Sequence, residues 1–255
     1  MHALLRRRPD TTSDYTTSHL GRGSDYDDGF AEMPMRALMW ELEQAVLRDL
    51  VTMTGARTVL DLACGTGRIT ELLVSTMPGS DIVGVDVADS MLAVARERVP
   101  SADFRQVDVR ALSTVVDDGS VDLVSAFRFF PNADPALRHD AVDAIAAALR
   151  PGGYLLVNNH RNFWSSSYLG RRARSGVEAP GATNAEVVGP LLDLGFTPVA
   201  RHSLGVLPQA DDRAYGVSTT TASRIERFNA RRLSSRHTAG TNTIWLLQRD
   251  PGRSR

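Results

Sequence analysis

The sequence has little or none of several features that would assign a protein class directly. It has one cysteine, Cys64, which excludes an internal disulfide. It has no lysine, so all 29 basic residues are arginines. No apolar run approaches about 18 residues, and no long apolar segment follows the arginines at 6–8, so neither a transmembrane helix nor a signal peptide is predicted. With 42% hydrophobic and 23% charged residues, the chain is predicted to be a globular cytoplasmic protein without a membrane partner.

Charge is unevenly divided along the 255 residues. Residues 1–160 hold 15 Arg against 23 Asp and Glu, a net charge of −8, whereas residues 161–255 hold 14 Arg against 7 acidic residues, a net charge of +7. Arginine pairs well with carboxylates and phosphates, so the second half favours a small anionic or carrier-bound substrate. An internally balanced surface is the alternative. The total of −1 makes nucleic acid an unfavoured partner.

A basic stretch near the C-terminus allows three interpretations. It could hold an anionic tail of a small substrate, RNA, or only water. Its members are Arg213, Tyr215, Arg224, Arg227, Arg231 and Arg232.

The most informative segment is residues 59–70, with the sequence VLDLACGTGRIT. It is typical of an apolar strand ending in Asp61, a glycine turn at Gly65 and Gly67, and the start of a helix. Glycine lets the backbone approach a ligand closely, and a helix N-terminus offers free N–H groups and a partial positive charge. A second apolar strand ends at Asp86, where a carboxylate can bind two ribose hydroxyls. The pattern predicts a site for a cofactor that contains a nucleoside.

Two cofactor classes compete for this loop. A dinucleotide site has Gly-x-Gly-x-x-Gly and binds its pyrophosphate at the helix N-terminus. Here the third glycine position is Thr70, and Asp61 stands four residues before Gly65, where it would repel a pyrophosphate. A carboxylate at that place suits a ligand with an ammonium group. S-adenosylmethionine has an ammonium, a sulfonium, a ribose and an adenine, and it has no phosphate, so the residues favour it.

The loop resembles motif I of class I S-adenosylmethionine-dependent methyltransferases, usually Asp-x-Gly-x-Gly-x-Gly, with Ala63 at the first glycine. Residues 84–92 resemble the strand-2 motif of that family, and residues 150–154 its turn before strand 5. The resemblance implies S-adenosylmethionine as cofactor, S-adenosylhomocysteine as product, and no metal. The cofactor-binding residues that it implies are Asp61, Ala63, Gly65 and Gly67 at the methionine part, Asp86 at the ribose, Val87 and Met91 on the adenine faces, Asp108 and Val109 at the adenine edge, and Phe127.

Hydrophobic periodicity predicts alternating helices and strands after a first amphipathic helix over residues 35–53. Strands are predicted at 57–62, 82–86, 102–107, 121–126, 153–158, 196–205 and 242–248, and helices at 67–77, 89–98, 134–149, 183–194 and 218–232. Short apolar strands alternating with helices indicate an α/β protein with a parallel sheet covered on both faces. The resemblance implies a three-layer Rossmann-like sandwich with seven strands in the order 3-2-1-4-5-7-6 and an antiparallel strand 7.

The domain organisation is predicted from composition and from the resemblance. A polar, flexible N-terminal segment is followed by a single methyltransferase domain with three capping regions. The ranges are 1–24 for the flexible segment, 25–255 for the domain, 25–54 for an N-terminal helical cap, and 162–181 and 207–241 for segments that cap the site and choose the substrate. In the helical cap, the resemblance places Tyr26 and Arg36 at the methionine carboxylate, where Arg36 can bind bidentately.

Catalytic and substrate candidates lie where strands 4 and 5 of the predicted sheet end. His160 is the first choice for a general base, because its unperturbed pKa lies near neutrality. A structural loop histidine is the alternative. Arg128 is a candidate for binding an anionic acceptor, and aromatic side chains could form an apolar substrate wall or belong to the core. The substrate-binding candidates are Arg128, Phe129, Asn159 and Trp164.

These patterns together predict an S-adenosylmethionine-dependent methyltransferase that acts on an oxygen or nitrogen of a small molecule, such as a natural-product intermediate or a sugar. The segment after strand 4, FRFFPN, differs from the Asn/Asp-Pro-Pro-Tyr/Phe of nucleic-acid amino-methyltransferases. An RNA or protein methyltransferase and a non-catalytic cofactor-binding regulatory protein remain the alternatives. The oligomeric state is open, with a homodimer as one option.

Overall fold

The computed structural model describes residues 33–175, 181–210 and 212–252, and of residues 171–175 only the backbone. In this part of the chain, seven strands form one sheet in the order β3-β2-β1-β4-β5-β7-β6. The strands are β1 Thr58–Leu62, β2 Asp81–Asp86, β3 Asp103–Gln106, β4 Val121–Ala126, β5 Leu149–Asn159, β6 Phe196–Leu204 and β7 Asn242–Arg249. β7 is antiparallel to both β5 and β6, and the other pairs are parallel. The predicted strand order and the antiparallel strand 7 are confirmed.

Helices cover both faces of this sheet, which completes the predicted three-layer sandwich. They are α1 Pro34–Thr54, α2 Arg68–Thr76, α3 Asp89–Arg98, α4 Pro135–Ala148, α5 Ser166–Ser175, α6 Asn184–Asp193 and α7 Thr219–Arg232. Apolar residues of α1, α2 and α7 share one core cluster, and those of α4 and α6 share another. Short 3₁₀ turns follow β3 at Val109–Thr114 and α7 at Ser234–Arg236.

Helix ends follow signals that are visible in the sequence. Asp134 caps α4 by accepting the N–H of Leu137 at 2.9 Å. Thr183 and Glu186 form a reciprocal capping box at the start of α6. Gly55 ends α1 in the left-handed conformation with φ of +59°, which glycine adopts without a Cβ clash. Local chemistry therefore accounts for where these elements begin and end.

The central strands are buried on both sides, because helices cover both faces of the sheet. Leu60, Leu123, Leu155 and Leu156 are each at most 1% exposed. The parallel strands β1, β2, β4 and β5 all run in one direction, so their carboxyl ends meet at one edge. Ligands of open α/β sheets bind outside that edge.

Two segments that were predicted to cap the site contact each other. The hydroxyl of Ser166 donates to the carbonyl of Val206 at 2.6 Å, and that of Ser167 donates to the carbonyl of Leu207 at 2.9 Å. The buried carboxylate of Glu226 on α7 accepts three backbone N–H groups from residues 205–207, at 2.9–3.2 Å. Burial raises the pKa of Glu226, and these three bonds oppose the rise. Glu226 thus anchors the start of the segment 207–241 to α7, which lies later in the same segment.

Two findings limit the kinds of site within the described ranges. None of the helices there is long and apolar enough to span a membrane. Nor do three or more His, Cys, Asp or Glu side chains come together there as metal ligands would.

Candidate active site

A cleft opens at the edge of the sheet where β1, β2 and β4 end. Its volume is about 860 Å³, a figure that includes the open solvent at its mouth. Most of the predicted cofactor residues line it, together with several that the sequence did not single out. The lining residues are Trp40, Asp61, Ala63, Cys64, Gly65, Thr66, Arg68, Ile69, Asp86, Val87, Ala88, Met91, Phe127, Arg128 and Asn132.

The loop between β1 and α2 has a left-handed backbone at three positions. The φ angles of Ala63, Gly65 and Gly67 are +55°, +54° and +78°. A Cβ at Gly67 would lie 3.1 Å from the Cβ of Ala95 on α3, so this glycine allows α3 to pack against the loop. Ala63 keeps the left-handed conformation although it has a Cβ, at a strain of about 1–2 kcal/mol. The loop therefore keeps the backbone geometry of a glycine at its first motif position without having one.

Asp61 ends β1 at the floor of the cleft and is only 1% exposed. The hydroxyl of Thr70, in the first turn of α2, donates to its Oδ2 at 2.6 Å. The pKa of Asp61 is raised to about 7. Burial is the main cause of the rise and the negative charge of Asp86 adds to it, while the hydrogen bond from Thr70 opposes it. A cation bound nearby would favour the ionised carboxylate. The sequence used Thr70 only as evidence against a third glycine, and its bond to Asp61 is a role that sequence reasoning missed.

Asp86 is fixed between the glycine loop and the start of α3. Its Oδ2 accepts the N–H of Gly65 at 2.9 Å, and its Oδ1 accepts the N–H of Ala88 at 2.9 Å. These two backbone donors, one on each oxygen, fix the orientation of the carboxylate where it lines the cleft. A carboxylate at this position can accept from a pair of hydroxyls on a ligand.

A smaller, mostly apolar pocket of about 370 Å³ lies beside the cleft. The two share Ala63, Asp86 and Val87, so the pocket continues the cleft beyond the end of β2. Apolar walls with two carboxylates suit a flat heteroaromatic ring that has polar groups at its edge. The other residues that line the pocket are Leu62, Val85, Val107, Asp108, Val109, Phe129 and Leu137.

Two predicted site residues lie at this smaller pocket. The carboxylate of Asp108 accepts from Arg110 Nε at 2.9 Å and from Arg110 Nη2 at 2.5 Å. These bonds lower the pKa of Asp108 below its ordinary value, so the group is ionised and can accept from an amino group. Phe129, predicted as a substrate residue, packs into the core and lines this pocket rather than the larger cleft.

An aromatic–cation pair at the cleft lies outside the predicted set. The guanidinium of Arg68, the first residue of α2, lies 4.2 Å from the centre of the Trp40 ring on α1. Arg68 follows the last glycine of the loop directly, which is the signal that could have found it. Arg36 stands one turn before Trp40 and does not line the cleft, so its contact with a cofactor carboxylate stays a prediction. Tyr26 lies outside the described residues.

Arg128 lies on the wall of the cleft directly after β4. It has a left-handed backbone with φ of +63°. Its Nη2 pairs with the carboxylate of Glu43 on α1 at 3.0 Å, and the amide of Asn132 donates to its carbonyl at 2.6 Å. The Arg128 side chain is 30% exposed while that of Glu43 is 4% exposed, so the pair places a cation at the cleft and its counter-ion in the core.

His160 follows β5 and does not line the larger cleft. Its Nδ1 is buried and has no hydrogen-bond partner in the described part of the chain. Burial, and then the positive charges of Arg128 and Arg161, hold its pKa well below the ordinary value of 6.5. The imidazole is therefore neutral at neutral pH, and its role as a general base stays a prediction.

The remaining two substrate candidates are not brought to the larger cleft. Asn159 is fully buried, and its amide donates to the carbonyl of Ala182 at 2.8 Å and to Asn184 Oδ1 at 3.0 Å. Trp164 is 63% exposed and packs edge-to-face on Phe163 with ring centres 5.0 Å apart. Their substrate contacts stay predictions, and the geometry gives Asn159 a structural role.

The fold matches solved structures over most of its length. A methyltransferase from Archaeoglobus fulgidus, described as dependent on S-adenosylmethionine, aligns with a TM-score of 0.57 at 20% identity, covering 82% of this chain and 94% of that one. The sheet order, the strained glycine loop and the acidic strand ends define a Rossmann-like protein of the methyltransferase type.

Sequence similarity indicates the same class of protein. Residues 59–153 match the family described as methyltransferase domain. The trans-aconitate 2-methyltransferase of Azoarcus sp. (strain BH72) is 34% identical over 154 residues, which are 56% of this chain and 56% of that protein. The same enzyme of Rhodopseudomonas palustris (strain BisB18) is 34% identical over 125 residues, 48% of this chain and 47% of that protein. The match spans about half the length of these relatives. Residues 59–153 thus resemble a methyltransferase domain, and the fold matches a methyltransferase described as dependent on S-adenosylmethionine, as the motifs predicted.

Proposed function

We propose that this chain binds S-adenosylmethionine and transfers its methyl group to a carboxylate oxygen of a small anionic molecule. The observation that carries the proposal is one cleft with the acidic, glycine-lined loop on one side and the cation of Arg128 on the other. The names of the two curated relatives favour a small carboxylate as acceptor. A carboxylate oxygen is a narrower choice of acceptor than the oxygen or nitrogen that the sequence predicts.

The cofactor fits the residues around the cleft group by group. When bound, it supplies a methyl carbon that the positive sulfur has already activated. Asp61 suits its ammonium, and Asp86 suits the two ribose hydroxyls. The smaller pocket suits the adenine, with Asp108 as acceptor for the amino group and the N–H of Val109 as donor to the ring. Val87 and Met91 line the cleft nearby and are expected on the adenine faces.

The proposed reaction needs no proton transfer. A carboxylate oxygen of the acceptor attacks the methyl carbon, the carbon–sulfur bond breaks, and its electron pair stays on sulfur. The products are a methyl ester and the neutral thioether. The protein's part is to position the acceptor and to exclude water. Because a direct bond to Arg128 would weaken the attacking carboxylate as a nucleophile, Arg128 is expected to bind a second carboxylate, which favours acceptors with at least two.

A hydroxyl acceptor on a natural-product intermediate or a sugar is the second candidate. Such an oxygen loses a proton during methyl transfer, and a base for it is worth about 10²- to 10⁴-fold in rate. His160 is the base that would serve, since its imidazole is neutral at neutral pH. Its low pKa makes it a weak base, which is the reason to rank a carboxylate acceptor first.

The acceptor is selected, in this proposal, by the helical cap and the two later segments. Trp40, from the cap at 25–54, lines the cleft, which supports a substrate role for that region. No described residue of 162–181 or 207–241 lines it. Those segments are hydrogen-bonded to each other, through Ser167 and Leu207.

Two further alternatives are less favoured. RNA binding through the C-terminal basic stretch loses weight because Arg227 forms a bidentate pair with Glu41, and Arg213 lies beside Asp212 and 5.8 Å from the centre of the Tyr215 ring. A regulatory protein that binds the cofactor without turnover would keep Asp61 and Asp86 equally well. Only a turnover measurement separates this alternative from an enzyme.

Two measurements test the function. Calorimetry with S-adenosylhomocysteine reports cofactor binding, and transfer of a labelled methyl group is followed with trans-aconitate, other di- and tricarboxylates, phenols, sugars and RNA. We expect binding, and methyl esters from acceptors with two or more carboxylates. Binding without transfer to any acceptor would support the regulatory alternative. Transfer only to phenols, sugars or RNA would replace the carboxylate proposal.

A further inference from the structure

A closed ring of four polar side chains joins α1 to the ends of β4, β5 and β7. Glu43 accepts from Arg128 Nη2 at 3.0 Å with one oxygen and from Asn242 Nδ2 at 2.9 Å with the other. Asn242 Oδ1 accepts from Asn158 Nδ2 at 2.8 Å. Asn158 Oδ1 accepts the backbone N–H of Arg128 at 2.6 Å, which closes the ring. At each of these contacts a donor meets an acceptor.

The ring is placed where polar groups are costly. Glu43, Asn158 and Asn242 are each at most 3% exposed. A buried ion pair gives little net stability compared with apolar packing, and the left-handed backbone of Arg128 adds strain. Strain and buried charge beside a cleft are typical of functional sites rather than of an optimised core. Arg128 is the member of the ring that lines the cleft. The role open to the ring is therefore to hold Arg128 in position.

We propose that Glu43, Asn158 and Asn242 are positioning residues that hold the guanidinium of Arg128 at one place on the cleft wall for an anionic acceptor. Glu43 lies three residues after Trp40 on the same face of α1. This inference rests on the proposed function for its ligand, but the ring can be tested without turnover.

Replacing Glu43 by glutamine is the sharpest perturbation. The Glu43 carboxylate receives a donor on each oxygen, whereas a glutamine amide has one accepting oxygen and a donating NH₂ group. In Glu43→Gln the NH₂ group must face Arg128 or Asn242, so the ring opens and Arg128 loses its ion pair with Glu43. Glu41→Gln is the matched control. Glu41 lies two residues earlier on α1 and pairs with Arg227 on α7 outside the ring.

The first readout is the side-chain ¹⁵N spectrum of arginine-labelled protein, with Arg128 assigned by Arg128→Lys. We expect slow rotation of the Arg128 guanidinium in the wild type and in Glu41→Gln, and at least tenfold faster rotation in Glu43→Gln. Equal rotation in all three proteins overturns the inference, whether or not the chain has activity.

The second readout is titration of trans-aconitate in the presence of S-adenosylhomocysteine. Its dissociation constant should rise at least tenfold in Glu43→Gln and stay within threefold in Glu41→Gln, while S-adenosylhomocysteine binds all three proteins within threefold. Where turnover is measurable, KM for the acceptor should rise more than kcat falls. Equal acceptor binding in the wild type and Glu43→Gln contradicts the positioning role. No binding to the wild type contradicts the carboxylate acceptor, and the ring is then judged by the rotation of Arg128.

Asn242→Ala keeps the test decisive if Glu43→Gln does not fold. It removes one ring member and leaves the Glu43–Arg128 pair in place. The expected rise in the dissociation constant of trans-aconitate is about threefold, smaller than for Glu43→Gln. No change in either the rotation of Arg128 or acceptor binding overturns the inference.

Discussion

The two walls of the cleft are built over very different distances in the chain. On the cofactor wall, Thr70 and Asp61 are 9 residues apart, and Gly65 and Asp86 are 21 apart. On the acceptor wall, Glu43 is 85 residues from Arg128 and 199 from Asn242. The first wall is one strand–loop–helix–strand unit, whereas the second is assembled from four separate elements. Short-range motifs can therefore specify the cofactor wall, but not the acceptor wall.

The range that matches the methyltransferase family separates the same two walls. It covers residues 59–153, which include the glycine loop, both acidic strand ends and Arg128. It leaves out α1 with Trp40 and Glu43, and it leaves out β7 with Asn242. The matched range thus contains the cofactor wall, while the residues that hold Arg128 lie outside it.

The largest expected effect is on the cofactor wall, in Asp86→Ala. The variant loses the acceptor for the ribose hydroxyls and the two backbone bonds that fix the loop. We expect the affinity for S-adenosylhomocysteine to fall well over tenfold in calorimetry. Asp89→Ala, three residues later at the exposed start of α3, is the control and should bind normally. Unchanged affinity in Asp86→Ala would remove the ribose assignment.

A second contrast lies within the glycine loop. Gly67→Ala introduces a Cβ at a φ of +78° and at 3.1 Å from Ala95, so the free energy of unfolding should fall by about 1–3 kcal/mol. Ala63→Gly relieves a strain of about 1–2 kcal/mol in the folded state. It also stabilises the unfolded chain by about 0.4–1 kcal/mol through added conformational entropy, so the free energy of unfolding should stay unchanged or rise slightly. Urea denaturation measures both. Equal destabilisation by the two substitutions would mean that the left-handed backbone conformation does not control the stability of this loop.

The pH dependence of cofactor binding tests Asp61. Its pKa is raised to about 7 by burial, so the carboxyl is protonated below that pH and ionised above it. Because an ammonium group prefers the ionised form, the affinity for S-adenosylhomocysteine should be nearly constant above pH 7 and fall about tenfold per pH unit below it.

Thr70→Val separates Asp61 from other titrating groups. Loss of the 2.6 Å hydrogen bond raises the pKa of Asp61 further, so the fall in affinity should begin at higher pH. Calorimetry between pH 5.5 and 7.5 measures both proteins. A pH profile that is the same in the variant would show that another group controls binding.

The smallest expected effect is in His160→Ala, at a residue that follows β5 and does not itself line the cleft. A carboxylate acceptor needs no base, so the turnover number with saturating trans-aconitate should stay within about threefold of the wild type. A hydroxyl acceptor that depends on His160 should lose about 10²- to 10⁴-fold. Steady-state kinetics with each acceptor class therefore tells which chemistry the acceptor wall serves.

The fold was predictable because its signals are local. Apolar periodicity placed every strand and six of the seven described helices near their observed positions, and the resemblance added the strand order. It missed α5 at Ser166–Ser175, where a polar loop was expected. In the site, Asp61, Gly65 and Asp86 were predictable because two successive short motifs contain them. Thr70 was visible only as a missing glycine, since its bond to Asp61 depends on how the first turn of α2 lies against β1.

The acceptor wall was less predictable for a physical reason. Successive residues of a strand point to opposite faces, so an error of one position moves a side chain to the other side of the sheet. The sequence singled out Asn159, whereas Asn158 joins the ring beside the cleft and Asn159 bonds to Ala182 and Asn184. Similarly, Phe129 was taken with Arg128 as a substrate residue, and it lines the smaller pocket instead.

The sequence by itself determined the fold, the resemblance to methyltransferases and the cofactor wall, because hydrophobic periodicity and a glycine loop act between residues close in the chain. Only the tertiary structure decided that α1 supplies Trp40 and Glu43 to the cleft, and that Arg128 is held by residues from β5 and β7. Those contacts join segments up to 199 residues apart, and they exist only when the sheet and its helices have packed.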